Sequence, residues 1–158
     1  MMIEIGQKAP ALSGKNQNGT VISLDDFKGK PIVLYFYPKD DTPGCTKEAC
    51  SFRDAYQDIL DLGAAIIGVS RDTVEKHKKF ADKYDLRFNL LADEDGTVTE
   101  SYGVWVEKSM YGKKYMGIQR ATYLIDQKGY IDQSWPKVSV ANHCNEVIDG
   151  LKCLTGRE

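Results

Sequence analysis

Along this chain, continuous apolar runs typical of buried strands alternate with segments whose apolar residues have helical spacing. This alternation predicts layers of strands and helices. The run "PIVLYFYP" (31–38) is continuously apolar and rich in β-branched and aromatic residues, which is typical of a buried central strand that Pro38 ends. The run "AAIIGVS" (64–70) predicts a second buried strand. Further strands are predicted at 88–93, 120–126 and 130–135. Helical spacing separates them, so we expect an α/β fold with a central mixed β-sheet flanked by helices.

Start and stop signals place the main helices between these strands. Thr42 can cap a helix whose first position is Pro43, because the N–H that proline lacks has no helical partner there. Helical spacing continues from there to a plausible stop at Gly63. Asp72 is predicted to cap the next helix. The last helix is predicted to begin at Asn142, with an apolar stripe of Cys144, Val147, Ile148, Leu151 and Leu154.

The bulk properties narrow the class of protein. The 158 residues suit a single domain, 1–158, and the dipeptide Asn18-Gly19 predicts an N-terminal β-hairpin. With a net charge of −2 and no basic patch, neither nucleic acid nor a membrane surface is an expected partner. There is no signal-peptide pattern and no apolar stretch of about 18 residues, so we expect a cytoplasmic protein. In that reducing setting, four cysteines indicate catalytic, metal-binding or incidental roles rather than a disulfide framework.

Candidate chemistry concentrates in "YPKDDTPGCTKEAC" (37–50), which carries two of the cysteines. Cys45 falls in the first turn of the predicted helix, where free N–H groups and the helix dipole favour a thiolate. The same residue could instead be a small buried hydrophobe, as free cysteines often are. Its position after a central strand, where α/β sheets keep their sites, favours the reactive interpretation.

The spacing between Cys45 and Cys50 limits what the two thiols can do together. On an intact helix, residues with this separation have Cα atoms about 8.6 Å apart and point roughly 140° away from each other. A disulfide needs Cα atoms within about 7 Å of each other. A permanent bond is therefore not expected. Either the two cysteines never pair, or the helix unwinds locally when they do.

Other residues of reactive type have weaker support. Asp40 and Asp41 resemble a carboxylate pair, but adjacent acids in a loop are expected to be solvated. His77 lies in the lysine-rich segment "EKHKKF" and is expected to face solvent as well. Arg120 begins a predicted strand that could bring a cation near Cys45, although on the sequence alone a surface position is the simpler expectation.

Metal and nucleotide sites have little support in the sequence. His143-Cys144 could form half of a metal site, but the chain has only two histidines and no CxxC pair, so a zinc site is poorly supported. Cys144 lies on an apolar stripe and is expected in the core, whereas Cys153 lies off that stripe and is expected at the surface. No P-loop or GxGxxG opens a helix after a strand, so nucleotide binding is not indicated.

The segment "YFYPKDDTPGCTKEAC" resembles the active-site segment of peroxiredoxins, in particular those of the bacterioferritin comigratory protein/peroxiredoxin Q branch. The general motif Pro-x-x-x-Thr-x-x-Cys corresponds to Pro38, Thr42 and Cys45. The branch adds a second cysteine five residues later, here Cys50. The segments "GQKAPALSGKNQNGTVISLDDFKGK", "LADEDGTVTESYGVW" and "GIQRATYLIDQKG" extend the resemblance over nearly the whole chain.

The resemblance implies a thioredoxin-like fold and a thiol-dependent peroxidase of the atypical 2-Cys type. Cys45 would be the peroxidatic cysteine, Cys50 the resolving cysteine and Arg120 the family's active-site arginine. Pro38 and Thr42 would belong to the pocket. The family motif assigns no role to Cys144 or Cys153.

The resemblance also implies a reaction cycle and partners. Hydrogen peroxide or an alkyl hydroperoxide would oxidise Cys45 to a sulfenic acid, and Cys50 would convert it to an intramolecular disulfide. Thioredoxin or a similar dithiol would reduce that disulfide by exchange. A monomer without metal or organic cofactor is expected. The alternative is a peroxide-responsive redox relay or sensor that uses the same cysteines.

Overall fold

The computed structural model describes residues 2–156 and has the α/β layers that the sequence predicts. Its strands are β1 (Ser13–Lys15), β2 (Val21–Ser23), β3 (Ile32–Phe36), β4 (Ala65–Ser70), β5 (Asn89–Ala92), β6 (Trp105–Met110), β7 (Lys113–Ile118), β8 (Ala121–Ile125) and β9 (Ile131–Trp135). Its helices are α1 (Pro43–Asp54), α2 (Tyr56–Asp61), α3 (Val74–Tyr84), α4 (Thr97–Ser101) and α5 (His143–Thr155), with a short 3₁₀ helix at Leu24–Phe27.

Within residues 2–156, seven strands form one mixed sheet in the order β2-β1-β5-β4-β3-β8-β9, and β6 pairs with β7 alone. Strand β3 is parallel to β4 and antiparallel to β8. The predicted N-terminal hairpin is confirmed as β1–β2, and Gly19 supplies the left-handed residue of its turn with φ +77°. Because Phe36 at the end of β3 is opposite Ala121 at the start of β8, residues just beyond those two points meet at one edge of the sheet.

Both faces of the sheet are covered, which explains the continuous apolar run of β3. Ile32, Leu34 and Phe36 pack into the core on one face. The alternate residues of this stretch, Val33, Tyr35 and Tyr37, pack on the other face together with side chains from α1, α3 and α5. A large apolar side chain buried in this way stabilises the fold by about 1.5–3 kcal/mol. The central strand is therefore a rigid base for the loop that follows it.

Two details of the predicted helices are wrong. The first helix does not continue to Gly63 but breaks at Ala55, after which α2 begins. The next helix, α3, is capped by Thr73, whose hydroxyl accepts a hydrogen bond from the Lys76 N–H at 3.2 Å, and not by Asp72. In the part of the chain that the structure describes, no helix combines the length and apolarity needed to cross a membrane.

Candidate active site

The N-terminal turn of α1 presents Cys45 at the carboxyl end of the central strand. Thr42 is the N-cap residue and Pro43 the first helical residue, as predicted, and Cys45 follows in the same turn with 1% of its surface exposed. The backbone carbonyl of Thr42 accepts the Thr46 N–H at 2.8 Å. The expected side-chain cap is wrong, because the Thr42 hydroxyl donates to the Lys39 carbonyl at 2.8 Å and makes no capping bond. The hydroxyl thus braces the loop that leads into the helix.

Arg120 contacts Cys45 from the neighbouring strand. It directly precedes β8, and its guanidinium forks between two partners. Nη2 donates to Cys45 Sγ at 3.3 Å, and Nη1 donates to Glu48 Oε1 at 2.7 Å. Its side chain is 17% exposed, so the surface position expected from the sequence is wrong. Gly44 leaves room for this contact, since a Cβ there would lie 3.1 Å from Nη2.

Glu48 is a buried acid that the sequence reasoning missed. It lies one helical turn after Cys45 and is 1% exposed; the i, i+3 spacing puts both side chains on one side of the helix but does not mark the acid as buried. Burial raises the pKa of Glu48 to about 7, although the charge of Arg120 and its hydrogen bond act in the opposite direction. Among residues 2–156, Glu48 Oε2 and the Tyr35 hydroxyl are buried side-chain atoms without a hydrogen-bond partner. Arg120 therefore neutralises an acid that is poorly solvated.

Lys108 brings a second positive charge to the site from the β6–β7 hairpin. Its aliphatic stem packs on Gly117, where an added Cβ would lie 3.2 Å from Lys108 Cδ. Partial burial lowers the pKa of Lys108, the charge of Arg120 lowers it further, and Cys45 raises it. The hairpin thus brings Lys108 close enough to Cys45 and Arg120 to interact with their charges.

Cys50 lies on the same helix in a different environment. It is half-buried, and α1 is continuous from Pro43 to Asp54, so Cys45 and Cys50 are both free thiols, as helix geometry requires. Arg53 fixes this part of α1 by donating from Nη1 to the Tyr84 carbonyl at 2.9 Å.

The sequence and fold comparisons agree on one family. Residues 5–134 match the AhpC/TSA family. A putative peroxiredoxin of Coxiella burnetii is 54% identical over 151 residues, which cover 96% of this chain and 100% of that protein. Peroxiredoxin Bcp of Bacillus subtilis is 53% identical over 155 residues, covering 98% and 99%. The solved structure of Xanthomonas campestris bacterioferritin comigratory protein is 38% identical with a TM-score of 0.90, covering 96% of this chain and 99% of that one.

The chain belongs to the peroxiredoxin family, in its peroxiredoxin Q branch. The resemblance noted in the sequence is therefore confirmed, and so is the thioredoxin-like fold that it implies. In this peroxiredoxin, Cys45 and Arg120 are in direct contact. Thr42 braces the loop between β3 and α1, and Pro38 is half-buried at the start of that loop. Cys50 remains apart from Cys45 on the intact helix.

The remaining thiols of this peroxiredoxin lie outside the site. Cys144 on α5 packs against the core but is only half-buried, not fully buried as expected, and it donates to the Ser51 carbonyl at 3.5 Å. Burial, together with the charges of Asp54 and Asp58, raises the pKa of the Cys144 thiol to about 11. It is therefore a poor nucleophile at neutral pH. Cys153 is exposed, as expected.

Two expectations about solvated loop and helix residues are wrong. His77 is fully buried, and the Asp40 side chain is 5% exposed and lies against it. Asp41 does face solvent, and it pairs with Lys83 at 2.8 Å. The two adjacent acids therefore do not act as a pair, because they point to different partners.

Proposed function

We propose that this peroxiredoxin reduces hydrogen peroxide and alkyl hydroperoxides at Cys45. The contact between Arg120 Nη2 and Cys45 Sγ, 3.3 Å long and made at the first turn of α1, supports this assignment most strongly. A guanidinium and a helix N-terminus both favour the thiolate, which is the nucleophilic form of cysteine. The related Xanthomonas campestris protein has been studied for alkyl peroxide reduction.

The proposed first step breaks the peroxide O–O bond. The Cys45 thiolate attacks one peroxide oxygen and forms a sulfenic acid, while the other oxygen takes up a proton and leaves as water or an alcohol. Negative charge moves from the sulfur to the leaving oxygen as the bond breaks. Arg120 and the free N–H groups of the first turn of α1 are placed to stabilise that charge. Thr42 holds the loop through Lys39, and Pro38 shields the sulfur from bulk water.

The proposed second step makes Cys50 the resolving cysteine. The Cys50 thiol attacks the sulfenic sulfur of Cys45, water leaves, and an intramolecular disulfide forms, as in an atypical 2-Cys peroxiredoxin. The two residues are both within α1, so the helix has to unwind locally first. The pKa of the half-buried Cys144 thiol is raised to about 11, which supports Cys50 as the partner instead. Thioredoxin or a similar dithiol then reduces the disulfide by exchange. We propose that the enzyme works as a monomer in the cytoplasm.

Disulfide mapping after one equivalent of hydrogen peroxide tests both steps. Mass spectrometry of the wild type should show a Cys45–Cys50 bond. Cys45→Ser should abolish peroxide consumption, whereas Cys50→Ser should retain one turnover and lose recycling by thioredoxin. Full peroxidase activity in Cys45→Ser would contradict the proposed function. Slow turnover together with a stable mixed disulfide to another protein would instead favour a redox relay.

A further inference from the structure

A buried hydrogen-bond network holds the loop that leads into α1, and the peroxide chemistry does not use it. Asp40, in that loop, receives a hydrogen bond on Oδ1 from the Tyr37 hydroxyl at 2.6 Å. Its Oδ2 lies 2.6 Å from Nδ1 of His77, which belongs to α3. We call Tyr37, Asp40 and His77 the buried clamp. It joins the end of the central strand to α3.

The far side of the clamp is fixed to the sheet. Nε2 of His77 lies 2.9 Å from the Leu91 carbonyl, which can only accept, so this nitrogen carries a proton. The other ring nitrogen shares a proton with Asp40, in a bond that a charged group strengthens. The backbone N–H of Asp40 also donates to Asp72 Oδ2 at 2.9 Å, and Ser70 Oγ donates to the same oxygen at 2.6 Å.

Two residues of the clamp, together with Asp72, could be taken for a metal site. Among residues 2–156, Asp40, Asp72 and His77 form the one group of candidate ligands close enough to share an ion. Their ligand atoms are already joined to each other and to protein neighbours by hydrogen bonds of 2.6–2.9 Å. These atoms therefore serve a hydrogen-bond network in this structure.

The clamp lies where it can control the unwinding of α1. Only four residues separate Asp40 from Cys45, and the clamp bonds run towards α3 and β5, away from Arg120. A bond between Cys45 and Cys50 requires the first turns of α1 to unwind. Unwinding is harder when the chain entering the helix is fixed by buried, charge-assisted hydrogen bonds than when it is free.

We propose that the buried clamp holds the cysteine loop in its folded position and thereby sets how long the Cys45 sulfenic acid waits for Cys50. Asp40 and His77 are then positioning residues for the resolving step, and this role rests on the proposed function. While the sulfenic acid waits, a second peroxide can oxidise it to the sulfinic acid, releasing water or an alcohol. The clamp therefore controls how the intermediate divides between disulfide and sulfinic acid.

The double variant Asp40→Ala/His77→Leu tests the proposal. It removes both partners, so neither a buried charge nor the imidazole is left unpaired. The protein is turned over with dithiothreitol at increasing hydrogen peroxide, and mass spectrometry measures the fraction of Cys45 lost to sulfinic acid. The peroxide concentration needed to convert half of Cys45 should rise about fivefold, the factor that ~1 kcal/mol produces. The rate constant of Cys45 with substoichiometric peroxide should stay within about threefold, because the folded form still dominates.

Matched variants separate the clamp from general loosening of the loop. Lys83→Ala removes the solvent-exposed bond to Asp41 in the same loop. It should change the sulfinic acid threshold, which is the peroxide concentration that converts half of Cys45 to sulfinic acid, by less than about twofold. In a Cys50→Ser background the double variant should have no effect on the threshold, because no resolving step competes. Asp40→Asn, which keeps the side-chain volume, should shift the threshold in the same direction by a smaller factor.

The outcomes are distinct. An unchanged or lower threshold in the double variant overturns the clamp proposal while the proposed function stands. If the double variant does not fold by urea denaturation, Asp40→Asn decides, and no shift there overturns the proposal. A wild type that consumes peroxide but forms no Cys45–Cys50 disulfide overturns the proposed resolving step, and the clamp proposal with it.

Discussion

Cys45 and Cys50 share helix α1 but have different environments. Cys45 is fully buried and receives a hydrogen bond from Arg120, which is fixed by β8 and by Glu48. Cys50 is half-buried, and the nearby Arg53 holds the helix through a single bond to a backbone carbonyl. Buried charged groups thus surround Cys45, whereas Cys50 lies near the exposed ion pair of Arg53 and Asp54. The difference indicates that a single helix can give its two thiols different electrostatic environments.

Removing Arg120 should have the largest effect on this asymmetry. Arg120→Ala deletes the hydrogen bond to Cys45 Sγ and leaves Glu48 without its cation. Loss of a donor that stabilises developing charge typically lowers the rate about 100-fold or more. We expect a loss of that size in the first-turnover rate constant with peroxide, measured by rapid mixing. Arg120→Lys keeps the positive charge but cannot donate to Cys45 and Glu48 at once. Its first-turnover rate constant should lie between those of the wild type and Arg120→Ala. A wild-type rate constant in Arg120→Ala would show that the contact with Arg120 does not make Cys45 more reactive towards peroxide.

Replacing the buried acid in Glu48→Gln should change how the free energy of unfolding depends on pH. Burial raises the pKa of Glu48 from its usual 4.5 to about 7, so the folded protein holds this proton more tightly than the unfolded chain. The wild type therefore loses stability as pH rises through that window, and loses no more above it. The pKa shift of Glu48 corresponds to a loss of at most about 3 kcal/mol in the free energy of unfolding.

Urea unfolding at pH values from about 4.5 to about 8 measures this effect. The free energy of unfolding of Glu48→Gln minus that of the wild type should increase with pH up to about 7, the pKa of Glu48, and then level off. The other titrating groups cancel in the difference. A difference independent of pH would mean that Glu48 is solvated in the folded protein.

Gly44→Ala should separate reactivity from stability. The new Cβ would lie 3.1 Å from Arg120 Nη2, the atom that contacts Cys45, so the guanidinium has to move. We expect the peroxide rate constant to fall about tenfold, the equivalent of ~1.4 kcal/mol. Stability should be unchanged or higher by up to about 1 kcal/mol, because alanine favours the helix over glycine. Rapid mixing and urea unfolding measure the two quantities. A parallel loss of both would contradict the steric explanation.

Arg53→Ala should have the smallest effect, at the other end of the helix. It removes the bond to the Tyr84 carbonyl and an exposed ion pair with Asp54. We expect a loss of stability of about 1 kcal/mol or less and a first-turnover rate within about twofold of the wild type. Formation of the Cys45–Cys50 disulfide, followed by quenching and mass spectrometry, should be faster. A slower disulfide step would mean that this bond guides Cys50 rather than restraining it.

Local patterns were sufficient to predict the strand and the helix start that carry Cys45. The apolar run of β3, followed by Thr42 and Pro43, is a short-range signal, and the structure contains that strand and that helix start. Arg120 could not be placed by such signals, because its contact with Cys45 depends on the pairing of β3 with β8. Only the resemblance to peroxiredoxins indicated it.

His77 and Glu48 were missed for different reasons. The lysines around His77 suggested a solvated helix, yet Val74, His77, Phe80 and Ala81 follow the helical period of an apolar stripe, and His77, Phe80 and Ala81 are buried. If the apolar stripe had been given more weight than the neighbouring lysines, His77 would have been predicted as buried. Glu48 is an ordinary acid on a helix until Arg120 is known to lie opposite it. Its role is set by tertiary structure, which the spacing alone does not determine.

The pairing of β3 with β8 also has a consequence for the newly made chain. Cys45 and Arg120 are 75 residues apart in sequence. At ~5–20 residues per second, the cysteine is synthesised several seconds before its arginine. The contact then needs a long loop to close and two non-neighbouring strands to find their register, which is a slow kind of folding step. A nascent chain therefore carries a thiol without its guanidinium until the central sheet is assembled.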